Sequence, residues 1–293
     1  MLSKNLEILR RLPKPVARAV RDTLVYPRYW WHARKCKTGY REYGDQYEHN
    51  ILFVVGIPKS GTTWLEKMLS SYPGYSELLI PEASLAPPGV FSLPDDTFTR
   101  MRKMLVLSKM HLSGTEHNAQ VLADASIPYA VLYRDLRDIC VSNYHYIRLT
   151  PWHYAYEATM QLTLSEYIDE WIEEALPGFC RWVDMWDKNR NPELSVMVRY
   201  EDILNDPHGS LRRLLELYKL PATDERIEEM VERNRFDRLS GGRERGQEQQ
   251  GSFFRKGKAG DWKNHFSAEQ KAEFKKLGGD WLIRHGYESD LNW

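Results

Sequence analysis

Four short segments of this 293-residue chain carry side chains suited to holding a polyanion. The first is Gly56-Ile57-Pro58-Lys59-Ser60-Gly61-Thr62-Thr63-Trp64, set between an apolar run and a helical stretch. Two glycines five apart let a backbone curl until its N–H groups converge on a phosphate. The N-terminus of the following helix adds the positive end of its dipole. The nucleotide-triphosphatase form of such a loop is G-x-x-x-x-G-K-[ST]. Here Thr62 follows the second glycine, and the lysine lies inside the loop as Lys59. A lysine so placed reaches the far side of the anion, where a leaving oxygen would be. A plain glycine turn accounts for the glycines but not for the Lys-Ser-Gly-Thr-Thr-Trp run.

The second segment, Tyr133-Arg134-Asp135-Leu136-Arg137-Asp138, starts at a strand end and runs into a helix carrying Ser142. Arg134 would sit at the carboxyl edge of a sheet, where open α/β folds bind ligands, and its planar fork suits a phosphate. Ser142, two helical turns on, lies on the same side. Arg137 and Asp138 read as surface ion-pair residues. The third segment, Phe254-Arg255-Lys256-Gly257-Lys258, permits side-chain and backbone contacts to one anion together. Upstream of it, the polar, glycine-rich 241–251 stretch reads as a mobile loop that orders over a ligand. The fourth, Ser108-Lys109-Met110-His111, ends a strand pattern. A lone histidine there is more often structural, but Lys109 would point to the same side in an extended chain.

The elements that must position these residues follow from hydrophobic pattern. Ile51–Gly56 is a continuous apolar run, the pattern of a buried parallel strand. Further strands are predicted at 104–107, 129–133 and 195–198. Helices are predicted at 62–71, 163–189 (broken at Pro177 and Gly178), 206–217, 224–234 and 268–285. Strands alternating with helices imply an α/β single domain, its central parallel β-sheet flanked by helices. Hydrophobic and charged residues make up 42% and 28% of the chain, proportions that exclude a disordered or fibrous protein. Net charge is zero, so no global field draws the protein to nucleic acid. Cys36, Cys140 and Cys180 are far apart with no CxxC, which predicts neither a disulfide framework nor a metal cluster. That usage suits the reducing cytoplasm. No run approaches the ~18 apolar residues of a membrane span, and no secretory signal is seen.

The balance conceals an asymmetry. Residues 1–41 hold eleven Lys/Arg against two Asp/Glu. Leu2, Leu6, Ile8, Leu9, Leu12, Val16 and Val20 recur there at helical spacing, followed by Tyr26, Tyr29, Trp30 and Trp31. Residues 1–45 thus read as a basic helical arm that packs on a domain spanning 46–293. A membrane-surface or acidic-substrate patch is the second reading, since cations with interfacial aromatics suit that role.

At these motifs the chain closely resembles the cytosolic-type sulfotransferases, which use 3′-phosphoadenosine 5′-phosphosulfate (PAPS), over roughly residues 50–265. The family's signatures match Pro58–Trp64, Arg134 with Ser142, Lys109 with His111, Tyr200-Glu201-Asp202, and Arg255 through Asn264 without a gap. The resemblance implies that Lys59, Ser60, Gly61, Thr62 and Thr63 bind the 5′-phosphosulfate. Trp64 would stack on adenine, with Phe236 on its other face and Tyr200 helping to hold that side. Arg134, Ser142, Arg255, Lys256 and Gly257 would hold the 3′-phosphate. His111 would be the general base for in-line displacement, with Lys59 and Lys109 stabilising charge and no metal required. The products would be a sulfated acceptor and 3′,5′-adenosine bisphosphate (PAP). Glu82, and less directly Glu77, are the rival bases, on the pattern of sulfotransferases that use a glutamate. The family's dimerisation motif would fall at 263–272, where Ser267, Ala268 and Ala272 replace its key positions, so no dimer is implied.

The acceptor is a small molecule, lipid or carbohydrate bearing a hydroxyl or amine. Loops 79–93, 144–156 and 241–253 would line its pocket, with Phe91, Tyr146, Trp152, Tyr154 and Tyr156. Two rival functions differ in class: a P-loop small-molecule kinase, with Asp135 on magnesium, and a non-catalytic polyanion- or membrane-binding protein.

Overall fold

The computed structural model describes residues 14–85, 91–249, 252 and 254–293. Every residue of Ile51–Gly56 (β1) is buried. Ile51, Phe53 and Val55 enter one core, while Leu52 and Val54 enter another across the sheet. A strand covered on both faces must be apolar throughout, which is why this one has no polar alternation. Ser76–Glu77 (β2), Val106–Met110 (β3), Tyr129–Tyr133 (β4) and Ser195–Arg199 (β5) complete the sheet. All pairings are parallel, in the order β2-β3-β1-β4-β5. Helices cover both faces, so the chain has the α/β architecture expected of it.

Register positions the site. Val55 lies opposite Met110, Gly56 opposite Leu132, and Tyr133 opposite Arg199. The chain therefore leaves β1, β3, β4 and β5 on one edge, at Ile57, His111, Arg134 and Tyr200. Strand order reverses around β1, the place where open α/β sheets bind ligands.

Three elements depart from the sequence reading. β2 spans two residues, too few for a hydrophobic pattern. β3 starts two residues later than predicted and continues through Ser108 and Lys109. Lys109 is tolerated there because it is ion-paired with Glu66 within the fold, while Ser108 is fully buried. The break in 163–189 falls at Trp171–Ala175, a π-helical turn, before Pro177 rather than at it. Proline fits the first turn of the next helix, Leu176–Asn189, where its missing N–H has no acceptor to serve.

Of the arm, Leu2, Leu6, Ile8, Leu9 and Leu12 lie outside the described residues. Helices run over Lys14–Thr23 and Val25–Tyr43, and the second buries Ala33, Cys36 and Gly39. A Cβ on Gly39 would sit 1.9 Å from the carbonyl oxygen of Gly74. The Cys36 carbonyl accepts a bond from Leu105 N–H at 3.0 Å, tying this helix to the chain entering β3.

Arg137 and Asp138 are not surface residues, a correction to the sequence reading. Both belong to the Leu136–Arg148 helix and are almost fully buried, 2% and 1% exposed. Arg137 pairs with Asp135 at 2.7 Å and Glu288 at 2.6 Å, and its guanidinium lies 3.9 Å from the Trp262 ring centre and 4.3 Å from that of Trp293. Charge spacing alone reads as a solvated pair; the C-terminal segment folding over it makes it a core. Arg137→Met leaves Asp135 buried without its cation, a loss of about 3–5 kcal/mol. Urea unfolding should show that drop, and an unchanged midpoint would deny the network a structural role.

Candidate active site

The loop after β1 curls because two of its residues take left-handed backbone: Lys59 at φ 70° and Gly61 at φ 88°. A side chain at Gly61 would also strike the Tyr200 ring at 2.5 Å. Lysine in that region is strained by about 1–2 kcal/mol, which the surrounding fold must sustain. Ser60 supplies part of that support. Its hydroxyl donates to Ile57 O at 2.7 Å and approaches Leu132 O at 3.2 Å, fully buried beneath the loop. The Ser60 side chain thus braces the loop from below rather than facing a ligand. Gly61 caps the Thr62–Leu69 helix, whose first N–H groups have no intrahelical acceptor.

Arg134 sits where three segments meet. It donates to Lys59 O at 3.4 Å, Lys258 O at 3.1 Å and Asp138 Oδ2 at 3.2 Å. Its guanidinium lies 4.4 Å from the Tyr200 ring centre. The Nε atom of Arg134 is buried and has no hydrogen-bond partner. Asp138 does more than pair with Arg134. It accepts from Gly260 N–H at 2.7 Å and Trp262 N–H at 3.0 Å, pinning the C-terminal basic segment to the helix after β4. Arg255 and Lys256, on that segment, are bridged by Asp261 at 2.6 and 2.8 Å and by Glu248 at 3.1 and 3.0 Å. Its two neighbours hold the Asp261 carboxyl well below the usual range despite burial.

His111 and Lys109 do face one space. His111 Nδ1 is 2.6 Å from Gly56 O. A carbonyl only accepts, so the bond places the proton on Nδ1 and leaves Nε2 as the acceptor. Protein around the cavity desolvates the imidazole and, with Lys109 and Lys59 nearby, pushes its pKa down to about 4. The ring is therefore neutral at physiological pH. Lys109 Nζ donates to Glu66 Oε2 at 2.8 Å and Thr63 Oγ1 at 3.3 Å. Burial raises the Glu66 carboxyl, with Lys109 opposing it. Lys59 Nζ lies 4.0 Å from the Tyr146 ring centre. Desolvation, then the charges of Arg134, Lys109 and Arg255, push Lys59 down to about 7.

The basic groups and His111 border one cavity of about 1330 Å³. Lys59, Gly61, Thr62, Thr63, Trp64, Lys109, His111, Arg134, Ser142, Tyr200, Phe236, Arg255, Lys256 and Gly257 line it; of the residues expected to bind the nucleotide or act on it, Ser60 does not. Trp64 is fixed by its indole N–H donating to Asn234 O at 2.9 Å, and Phe236 packs against Gly257. The rest of the wall mixes polar residues, among them Asn143, His153, Glu170, Glu174 and Arg181, with apolar and aromatic ones, of which Leu79, Ile80, Ala83, Phe91, Tyr146 and Tyr154 come from the anticipated loops. Trp171, Phe179 and Trp182 come from a segment that sequence reading took only as a helix. Trp152 and Tyr156 stand outside the lining, as do Glu77 and Glu82, the latter ion-paired to Arg100 at 2.9 Å. Parts of loops 79–93 and 241–253 lie outside the described residues. Glu66, Asp138, Asp261 and Glu248, which set the charge on the basic groups, were missed. Among the described residues no His/Cys/Asp/Glu cluster is arranged to hold a metal ion.

Residues 50–285 match the family model of the sulfotransferase domain. Sulfotransferase 6B1 of Danio rerio is 27% identical, over 79% of this chain and 78% of its own. Flavonol 3-sulfotransferase of Flaveria bidentis is 25% identical, over 78% and 80%. The crystal structure of retinol dehydratase in complex with androsterone and inactive cofactor PAP superposes with a TM-score of 0.57 at 18% identity, covering 80% of each chain. With most of its length matched to that domain, the chain is a transferase belonging to the sulfotransferase family.

Proposed function

We propose that the cavity binds PAPS and transfers its sulfuryl group to a hydroxyl or amine of a small-molecule, lipid or carbohydrate acceptor. The unpartnered, buried Nε of Arg134 carries this reading. An unsatisfied guanidinium donor is costly unless a ligand completes it. It stands at the junction of the Lys59 loop, the Ser142 helix and the Arg255–Lys258 backbone. Arg134, Ser142, Arg255, Lys256 and Gly257 form the 3′-phosphate site, with Asp261 orienting the two basic chains. Gly61, Thr62 and Thr63 present helix N–H groups to the 5′-phosphosulfate while Ser60 holds the loop in shape. Trp64 and Phe236 take the adenine, with Tyr200 packed behind Gly61. PAP bound in the retinol dehydratase structure supports this choice of nucleotide.

His111 Nε2 accepts the acceptor proton as its oxygen attacks sulfur in line with the departing phosphate oxygen. The bond to sulfur forms as the sulfur–oxygen bond to the 5′-phosphate breaks, and PAP leaves with both electrons. Lys59 neutralises the leaving oxygen, and Lys109, held by Glu66, neutralises the equatorial ones. Glu82 is the weaker candidate base because it faces Arg100, off the cavity wall. A flavonol sulfotransferase among the relatives and androsterone in the retinol dehydratase complex support a hydroxylated acceptor for the aromatic wall. The three cysteines are free and buried, which supports a reducing compartment such as the cytoplasm.

His111→Ala should lower kcat about 10²–10⁴-fold while PAP affinity by calorimetry stays within about twofold. Near-normal turnover would move the base to Glu82. PAP should bind more tightly than ADP, and Arg134→Met should erase that preference. Magnesium-dependent ATP binding without PAP affinity would instead make the protein a kinase. Lys59 is a cation only below about pH 7 in the empty site. PAP affinity should therefore fall as pH rises from 7 to 9, by at most about tenfold per unit for one proton. Lys59→Met should flatten that slope, and a slope unchanged by the substitution would assign it to another group.

A further inference from the structure

We infer that the exposed face of the Lys14–Thr23 and Val25–Tyr43 helices docks on an anionic lipid bilayer. Six of the ten exposed large hydrophobic side chains among the described residues fall in one stretch: Val16, Val20, Leu24, Tyr26, Trp30 and Trp31. Trp30 and Trp31 are 64% and 56% exposed, unusual for the largest side chain. No core residue requires them. The same helix buries Ala33, Cys36 and Gly39 on its other side, so the tryptophans are on the face the domain leaves open.

That face is also cationic. Helical spacing sets Arg34, Lys37 and Arg41 beside Trp30 and Trp31, and all three are exposed. Lys35 Nζ lies 3.8 Å from the Trp31 ring centre. Within residues 1–41 the charge is eleven cations against two anions, while the rest of the chain is acidic enough to cancel it. Charge complementarity thus selects an anionic partner and disfavours a second copy, whose identical face would set like charges together. The apolar residues then select the kind of anion. A nucleic acid can stack bases on the indoles but offers nothing to bury Val20 and Leu24, whereas the headgroup–acyl boundary takes aliphatic chains and indoles together. Among the described residues no helix is long and apolar enough to cross a membrane, so the contact is peripheral.

The surface is not remote from the cavity. The Val25–Tyr43 helix packs against Pro81–Leu85, and Ala83 of that turn lies on the cavity wall. Docking itself does not depend on the function proposed above and is measured without donor or acceptor.

The full chain should co-sediment with vesicles of phosphatidylcholine plus phosphatidylglycerol at low salt, and not with phosphatidylcholine alone. Raising salt should release it. Trp30→Ala with Trp31→Ala should weaken binding about tenfold or more. Arg34→Ser, Lys37→Ser and Arg41→Ser together should weaken it about 100-fold, at roughly fivefold per cation near the surface. Both variants alter exposed positions, and unchanged PAP affinity should show that the domain is intact. Failure to bind the anionic vesicles, or equal binding to both kinds, would overturn the inference. So would a concentration-dependent dimer that the tryptophan substitutions abolish, or heparin binding that they leave untouched while vesicles are ignored.

Discussion

A single buried carboxylate holds the nucleotide end of this molecule together. Asp138 stands 1% exposed in the first turns of the helix after β4 and joins Arg134 to two backbone N–H groups, of Gly260 and Trp262. The two partners come from parts of the chain more than a hundred residues apart. Without an acceptor there, both N–H groups would be buried unpaired, each costing about 1–3 kcal/mol, and Arg134 would lose its counter-charge. The sheet edge delivers Lys59, His111 and Arg134; this one side chain brings Arg255, Lys256 and Gly257 to meet them. On the proposed reading, donor recognition therefore depends on a residue with no ligand contact assigned to it.

The same logic extends around the cavity. Eight cationic residues among those described line it, and five of them, Lys59, Lys109, Arg134, Arg255 and Lys256, are the ones the proposed site uses. Gathered in a desolvated space they would repel, and each of four is held by a named carboxylate: Lys109 by Glu66, Arg134 by Asp138, Arg255 and Lys256 by Asp261 and Glu248. Such pairing orients the basic groups before an anion arrives, which lowers the reorganisation needed on binding. Lys59 is the group whose charge the site holds least firmly, down to about 7 against an ordinary lysine. On the proposed reading, an arriving phosphosulfate restores that charge at the leaving oxygen, where a cation has most effect on the barrier.

The visible part of this in sequence was the part written in local chemistry. Gly56 to Trp64, Arg134 with Ser142 and Arg255 through Gly257 are short runs whose residue types announce an anion, and strand-end positions follow from the apolar runs before them. The carboxylates were not visible. Asp138 four residues after Arg134 has the spacing of any solvated helical pair. Its burial arises only when the C-terminal segment, 260–293, closes over the helix. Glu66 looks like a surface residue of a short helix until β3 brings Lys109 beside it. β3 itself was displaced in the sequence reading because Ser108 and Lys109 break an apolar run, and only the fold supplies Lys109 with Glu66 and Thr63. Trp171, Phe179 and Trp182 are hydrophobic at helical spacing, which is equally the signature of core. The π-helical turn at Trp171–Ala175 leaves no trace in that periodicity.

This difference explains why donor and acceptor ends are unequally determined. A phosphate is recognised by charge and by N–H geometry, each tied to particular residue types, so its site has a sequence vocabulary. The part of the cavity proposed for the acceptor includes Ile80, Phe91, Tyr146, Trp171 and Trp182, drawn from segments separated by fifty residues or more in places. Its specificity resides in the shape these walls make, and hydrophobic shape discriminates poorly between molecules differing by a methylene or a hydroxyl. On the proposed reading, the group that addresses the acceptor from the reacting end is His111 Nε2, whose availability is set in turn by the Gly56 carbonyl. A backbone oxygen at the end of β1 thus governs both halves of the site. Its strand begins the phosphate loop, and its lone pair decides which nitrogen of His111 is left to accept a proton.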